Sequence, residues 1–143
     1  MTGYWNNTAA TLETLRDGWL RTGDMGYFDE RHNVYLVDRK KDMIISGGEN
    51  IYSLEVEQAL AEHVAVAQVA VIGVPDEKWG ESVRAIIVTK PGAKVSEDEL
   101  SNHCVNMIAS YKRPRSYAFA TELPAMPSGK IDKKALRELY GKN

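Results

Sequence analysis

The sequence predicts a small α+β domain in which helices pack on a roughly three-stranded sheet, accompanied by a β-hairpin. Three observations carry this. From Asp42 onward, strand and helix patterns alternate. Two apolar runs, VAQVAVIGV and SVRAIIVT, are separated by one polar turn, DEKWGE. The remaining strand-like stretches are short, so no large parallel sheet is expected.

Taken in order, residues 1–37 hold many turn formers and few sustained apolar patterns, and they read as the tail end of a larger unit. VYLVD is a short strand preceded by the turn DERHN. MIIS is a strand that runs into the Gly47-Gly48 turn and so starts the hairpin. Ser53 is expected to cap a helix over about Leu54–His63, with Val56, Ala59, Leu60 and Val64 on one face. VAQVAVIGV and SVRAIIVT follow as strands, the second closed by Pro91-Gly92. Ser96 and Glu99 form a capping box ahead of Leu100, Cys104, Met107 and Ile108 at helical spacing. SYAFA is a third strand, and Asp132 caps a last helix carrying Leu136, Leu139 and Tyr140.

The 143 residues suit one domain, or one domain plus a piece of another. The net charge of −2 points to neither nucleic acid nor an anionic membrane surface. No apolar run approaches a membrane span and no signal peptide is visible. The single cysteine, Cys104, excludes a disulfide framework and a Cys-based zinc site, and fits a reducing, cytoplasmic setting. The histidines, His32, His63 and His103, are scattered and read as surface or packing residues, so no metal site is expected in this chain.

Several short motifs carry chemistry. Thr22-Gly23-Asp24 places a carboxylate on a tight turn, where it either accepts hydrogen bonds from a ribose diol or orders its own turn. Arg113 and Arg115 flank Pro114, which holds the segment extended, so the two side chains are expected to share a face. Beside Tyr111, that face suits a phosphorylated nucleotide or a charge-protected edge strand. Trp79, in a polar turn, is a lid over the core or a stacking surface. Ser128-Gly129-Lys130 lets backbone approach a ligand while the lysine supplies a point charge, but it lacks the spacing of a P-loop.

The order of these motifs says more than any one of them. Gly-Tyr-Trp-Asn at 3–6, Thr-Gly-Asp, Asp-Arg with MIISGGENI, VPDEKWGE, YKRPR and PSGK succeed one another as in the adenylate-forming superfamily. Over nearly its whole length the chain resembles the C-terminal part of an AMP-forming acyl-CoA synthetase. SGGENIYSLEVE and SYKRPRSY look most like fatty-acyl and aryl-acyl CoA ligases. The resemblance implies that residues 1–38 are the tail of a large N-terminal adenylation domain, and 39–143 a mobile C-terminal domain with the hairpin near its hinge. It implies ATP and AMP, CoA and a small-molecule carboxylic acid as ligands, and Mg2+ bound by the N-terminal domain. Asp24 and Arg39 match the residues that approach the ribose. Lys130 matches the lysine that neutralises charge between carboxylate and α-phosphate, and Lys41 falls at the hinge. Gly47, Gly48, Glu49 and Asn50 match the face lining the pantetheine passage. Trp79, Tyr111, Arg113 and Arg115 match positions that hold the CoA nucleotide. Lys40 and Lys112 are read as solvated, and the charges at 38–42 as keeping the joint in water.

The Ser/Thr/Gly-rich phosphate loop, the adenine and acyl pockets and the metal-binding glutamate of such enzymes are not among these motifs. The chain alone is therefore expected to be inactive, its missing partner being the N-terminal domain. Two alternatives stay open: the equivalent part of a peptide-synthetase adenylation domain or acyl-carrier-protein ligase, and a non-catalytic binding module. The KRPR cluster beside an aromatic favours CoA over the first. Retention of Arg39 and Lys130 argues against the second.

Overall fold

The computed structural model describes residues 1–142. The chain divides into two compact units, Met1–Lys41 and Asp42–Asn143.

The first unit is built from local pairings. Asn7 caps α1 (Thr8–Thr14) by accepting the Ala10 N–H. Two minimal strands follow, β1 (Leu15–Arg16) and β2 (Trp19–Leu20), paired antiparallel around Asp17-Gly18. β3 (Asp24–Phe28) and β4 (Val34–Arg39) then form an antiparallel hairpin. Its turn is ordered by Asp29, whose carboxylate accepts the N–H groups of Arg31 and Asn33. The Asn33 side-chain amide, which also donates to it, followed by the Asn33 and Arg31 N–H groups and the Tyr35 hydroxyl, holds the Asp29 carboxyl below its usual range. A single 3-10 turn spans Lys40–Asp42.

The second unit carries one five-stranded sheet. β5 (Ile44–Ser46) and β6 (Glu49–Ile51) make the expected hairpin. β7 (Val66–Asp76) and β8 (Gly80–Thr89) pair antiparallel along nearly their whole length. β9 (Ser116–Phe119) lies parallel to β8, and β5 joins β8 at Ser46 opposite Gly80. The sheet is thus the three expected strands plus the hairpin. The parallel step from β8 to β9 needs a crossover, which α3 (Glu97–Cys104) supplies.

Both faces of β7 and β8 are covered, which is why their sequences read as continuous apolar runs rather than alternations. On one face Val69, Val71, Val83, Ala85 and Ile87 pack with Val56 and Leu60 of α2 (Ser53–Ala61) and Leu100 of α3. On the other, Ala70, Ile72, Val74 and Ile86 pack with Leu123 and with Leu136 of α4 (Lys133–Tyr140). Cys104 is wholly inside the first layer, and burial pushes its thiol pKa up, so it is a core residue.

The helix ends differ from the sequence expectation in instructive ways. Ser96 and Glu99 do form the capping box, and Asp132 does cap α4. Ser53, however, is no cap: Tyr52 holds that position without a side-chain bond, and Ser53 is fully buried as the first helical residue. α2 stops at Ala61, which leaves Val64 exposed in the following turn. α3 stops at Cys104, and Met107 is left at the surface while Ile108 still reaches the core. Leu139 is exposed because α4 rests on the sheet through Leu136 and Tyr140. At the C-terminal ends of α2 and α3 the apolar pattern continues beyond the helix and does not mark its end.

Candidate functional site

In the first unit, antiparallel register brings together two residues fifteen positions apart. Asp24 opens β3 and Arg39 closes β4, directly opposite each other. Arg39 Nε donates to Asp24 Oδ1 at 3.1 Å, and Arg39 Nη2 reaches the Thr22 carbonyl at 3.5 Å. The turn before Asp24 is ordered by the Thr22 hydroxyl, which accepts the Asp24 N–H at 3.1 Å. Asp24 is therefore spared that task and turns its carboxylate to Arg39. The Lys40 N–H donates to the Gly23 carbonyl and closes the ladder. Thr22, Gly23, Arg39, Lys40 and Lys41 line an open hollow here. Carboxylate and guanidinium at its rim offer both acceptors and donors to a diol.

Among the charges of residues 38–42, Lys40 and Lys41 are exposed, as expected. Asp42 is not. It is only 6% exposed and accepts from Arg137 Nη2 of α4 at 2.9 Å. A carboxylate this buried needs such a partner. Asp42 therefore anchors the start of the second unit to its last helix and does not keep a joint solvated.

Gly47 and Gly48 have φ of +60° and +87°. A two-residue hairpin turn of type I′ requires positive φ at both central positions, so the turn alone accounts for a glycine pair. Gly47 has a second reason. A Cβ there would lie 2.7 Å from Trp79 Cε3, while the Gly47 N–H donates to the Trp79 carbonyl at 2.9 Å. A Cβ on Gly48 would meet nothing within 4 Å. Glu49 and Asn50 follow on β6, both exposed, opposite Ser46 and Ile45.

Trp79 is the centre of a small platform. Asp76 accepts the N–H groups of Lys78 and Trp79 at 2.9 and 3.0 Å, fixing the turn. These bonds, with the nearby Arg115 charge, hold the Asp76 carboxyl below its usual range. The indole is flanked by Arg115, 4.7 Å from ring centroid to guanidinium carbon, and by the Lys78 ammonium at 4.8 Å. Two cations on one half-buried aromatic ring form a surface suited to an anionic aromatic ligand. Trp79 thus lies against the Gly47 turn while two cations flank its ring.

The segment after α3 departs from expectation. Arg113 and Arg115 do not present one shared face. Arg113 Nη2 donates to the Val105 carbonyl at 2.8 Å and its Nε to the Ile108 carbonyl at 3.2 Å, satisfying carbonyls left open where α3 ends. Only Arg115 turns to Trp79. Lys112 is likewise not solvated: its ammonium sits 2.7 and 2.8 Å from the Glu55 carboxylate oxygens. That pairing, above all the hydrogen bond, raises the Lys112 pKa. Tyr111 is exposed, with the Lys112 ammonium 5.7 Å from its ring.

Lys130 rides on a tight hairpin. The Gly129 N–H donates to the Met126 carbonyl and the Met126 N–H to the Lys130 carbonyl, both at 2.8 Å. Pro127 sits where a type I turn favours proline, and Gly129, at φ +80°, takes the left-handed bulge position. Ala125 and Ile131 bridge the two legs. Lys130 itself is exposed. Three residues on, Lys133 has the opposite environment, with its ammonium 2.7 Å from Glu57 and 2.6 Å from the Ser53 hydroxyl.

Sequence reading missed Asp42, Glu57, Asp76, Lys133 and Arg137. Each is a charged residue whose partner lies far away in sequence or is backbone, so only Asp76, at the head of a turn, carried a local signal. Among the described residues no cluster of three His, Cys, Asp or Glu groups converges on a metal position. Also among the described residues, no helix is long and apolar enough to cross a membrane.

Comparison with known proteins fits these observations. The chain is 51% identical over 138 residues to a long-chain-fatty-acid–CoA ligase of Bacillus subtilis, covering 96% of this chain and 25% of that protein. Among solved structures it matches o-succinylbenzoate CoA synthetase of Bacillus subtilis, in complex with its acyl-adenylate intermediate, with a TM-score of 0.89 and 41% identity over 96% of this chain and 28% of the other. It matches ATP-bound MatB of Rhodopseudomonas palustris with a TM-score of 0.89 and 37% identity over 98% and 28%. The chain thus spans about a quarter of the length of the curated relatives it matches. The family model of the AMP-binding enzyme C-terminal domain matches residues 55–130, more than half of the sequence, and the chain belongs to that family.

Proposed function

We propose that this chain works as the C-terminal part of an AMP-forming acyl-CoA synthetase in the cytoplasm. Such an enzyme joins a carboxylic acid to CoA in two steps. A carboxylate oxygen attacks the α-phosphorus of ATP, an acyl-adenylate forms and pyrophosphate leaves. The CoA sulfur, as thiolate, then attacks the acyl carbon and AMP leaves. The observation that carries the reading is the contrast between two neighbouring lysines: Lys133 is tied up in an ion pair, whereas Lys130 is held out at the end of a hydrogen-bonded turn. A cation presented in this way serves a ligand better than it serves the fold.

In this reading the Asp24 carboxylate and Arg39 guanidinium bind the ribose hydroxyls. Lys130 faces the oxygens on which charge develops during attack at phosphorus. Rotation about Lys41 then exchanges the faces presented to the reactants, and Gly48, Glu49 and Asn50 border the pantetheine arm. Trp79 stacks with the CoA adenine while Arg115 and Lys78 meet its phosphates, with Tyr111 at the margin. Arg113 acts by holding the backbone of this region. Charge around an indole is what a nucleotide-bearing thiol needs and a carrier-protein arm lacks, which favours CoA. The metal that accompanies ATP belongs, in this proposal, to the N-terminal half.

The test is Lys130→Ala in the complete ligase. Loss of a positioned charge at the reacting phosphate lowers ATP–pyrophosphate exchange by about 10²–10³-fold. Thioester formation from supplied acyl-adenylate stays near the parental rate. Equal loss in both half-reactions refutes a role confined to adenylation.

A further inference from the structure

The hairpin that presents Lys130 is poorly supported from beneath. An open groove runs between it and the α2–β7 face, with Gly129, Ile131 and Ala125 on one wall and Leu54, Gln58 and Gln68 on the other. The turn is therefore held at its root. One leg enters the core through Leu123, which is buried. The other passes through Asp132, whose N–H donates to the Pro124 carbonyl at 2.8 Å and whose carboxylate caps α4. Lys133 comes next.

The Lys133 and Glu57 side chains are 15% and 16% exposed, and their charged atoms lie 2.7 Å apart. An ion pair so far out of water persists only when its remaining bonding capacity is also met. Here the Ser53 hydroxyl accepts from Lys133, and Glu57 Oε1 also accepts the Val71 N–H at 2.8 Å. One ammonium thus ties the first turn of α4 to α2, and through Glu57 to β7. The rest of α4 has separate anchors: Leu136 is fully buried, Arg137 binds Asp42, and Arg84 donates to the Tyr140 carbonyl. These anchors hold the body of the helix, whereas the Lys133 pair fixes its first turn, next to the hairpin leg that ends at Asp132.

We infer that Lys133, with Glu57 and Ser53, is a positioning residue for Lys130: it sets where the catalytic ammonium stands without touching the reactants. The inference rests on the adenylation reading of Lys130. A displacement of about 1 Å at a reacting group is enough to cost up to 10²-fold in rate, so even a small shift of the first turn of α4 would be read at Lys130.

The experiment is Lys133→Met in the complete ligase, which keeps the side-chain length and removes the charge. ATP–pyrophosphate exchange is expected to fall tenfold or more in kcat, with KM for ATP within twofold. Thioester formation from supplied acyl-adenylate stays within twofold, and Lys133→Arg restores most of the exchange. Because Lys133→Met strands the Glu57 carboxylate, the double variant Lys133→Met with Glu57→Gln is measured alongside and is expected to give the same split. The inference is overturned if exchange stays within twofold of parental, or if both half-reactions fall together, or if neither variant folds to a form active in the second step. Lys130→Ala is the control: unimpaired exchange there removes the adenylation reading itself, whatever the Lys133 variants do.

Discussion

Replacement of Gly48 by leucine separates two explanations of the glycine pair. The turn needs positive φ at both residues, so Gly48→Leu costs the left-handed penalty, about 1–2 kcal/mol. No clash at the Cβ adds to this, because a Cβ at Gly48 meets no atom within 4 Å. For a domain of roughly 100 residues each 1 kcal/mol lowers Tm by about 4–8 °C. A melting loss of roughly 5–15 °C is therefore expected, from a native stability typically about 5–15 kcal/mol, so the variant stays largely folded at 25 °C. Adenylation, measured by ATP–pyrophosphate exchange, should then run near the parental rate. If Gly48 borders the thiol passage, the leucine side chain blocks it, and single-turnover thioester formation drops on the order of a hundredfold. Gly47→Ala is the internal contrast, because its Cβ would press on Trp79 at 2.7 Å. It should displace the indole and raise KM for CoA. Thioester formation at the parental rate in Gly48→Leu refutes the passage and leaves Gly48 as a turn residue.

Lys41→Pro should leave exchange intact and slow thioester formation, because proline locks φ and also disfavours the helical conformation of Lys40 before it; unchanged single-turnover thioester formation removes Lys41 as the pivot. Acid should loosen the Trp79 turn. The Asp76 carboxyl is held below the usual 3.8 by hydrogen bonds from Trp79 and Lys78, so its stabilisation is present above that value and lost as pH falls through the lower folded value. With Trp5 and Trp19 replaced by phenylalanine, Trp79 fluorescence should stay flat from pH 7 to about 4 and change only below. Asp76→Asn should abolish that change, and a transition centred at pH 5–6 contradicts the assignment. The 143-residue chain by itself should show no ATP–pyrophosphate exchange with any carboxylic acid, and clear turnover by pure material refutes the division of labour proposed above.

The sequence by itself determined the elements whose causes are local. The capping box at Ser96–Glu99, the Asp132 cap, the Gly47-Gly48 turn and the two apolar strands are each written within a few consecutive residues, where backbone geometry and side-chain reach decide the outcome. The ordered motifs likewise fixed the family, since each is a short string. What only the tertiary structure decided are the partnerships of charged residues across long separations. Asp42 finds Arg137, Glu57 finds Lys133, Lys112 finds Glu55, and Arg113 turns from the ligand face to the carbonyls after α3. A charged side chain looks the same in sequence whether it is solvated or paired. Burial sets which it becomes, because removing a charge from water is tolerated only where the fold brings an opposite charge or a hydrogen-bonding group to meet it. The same holds for Gly47: its turn conformation was legible locally, but the indole that forbids a side chain there arrives from thirty-two residues away, in a turn that only the pairing of β5 with β8 brings close.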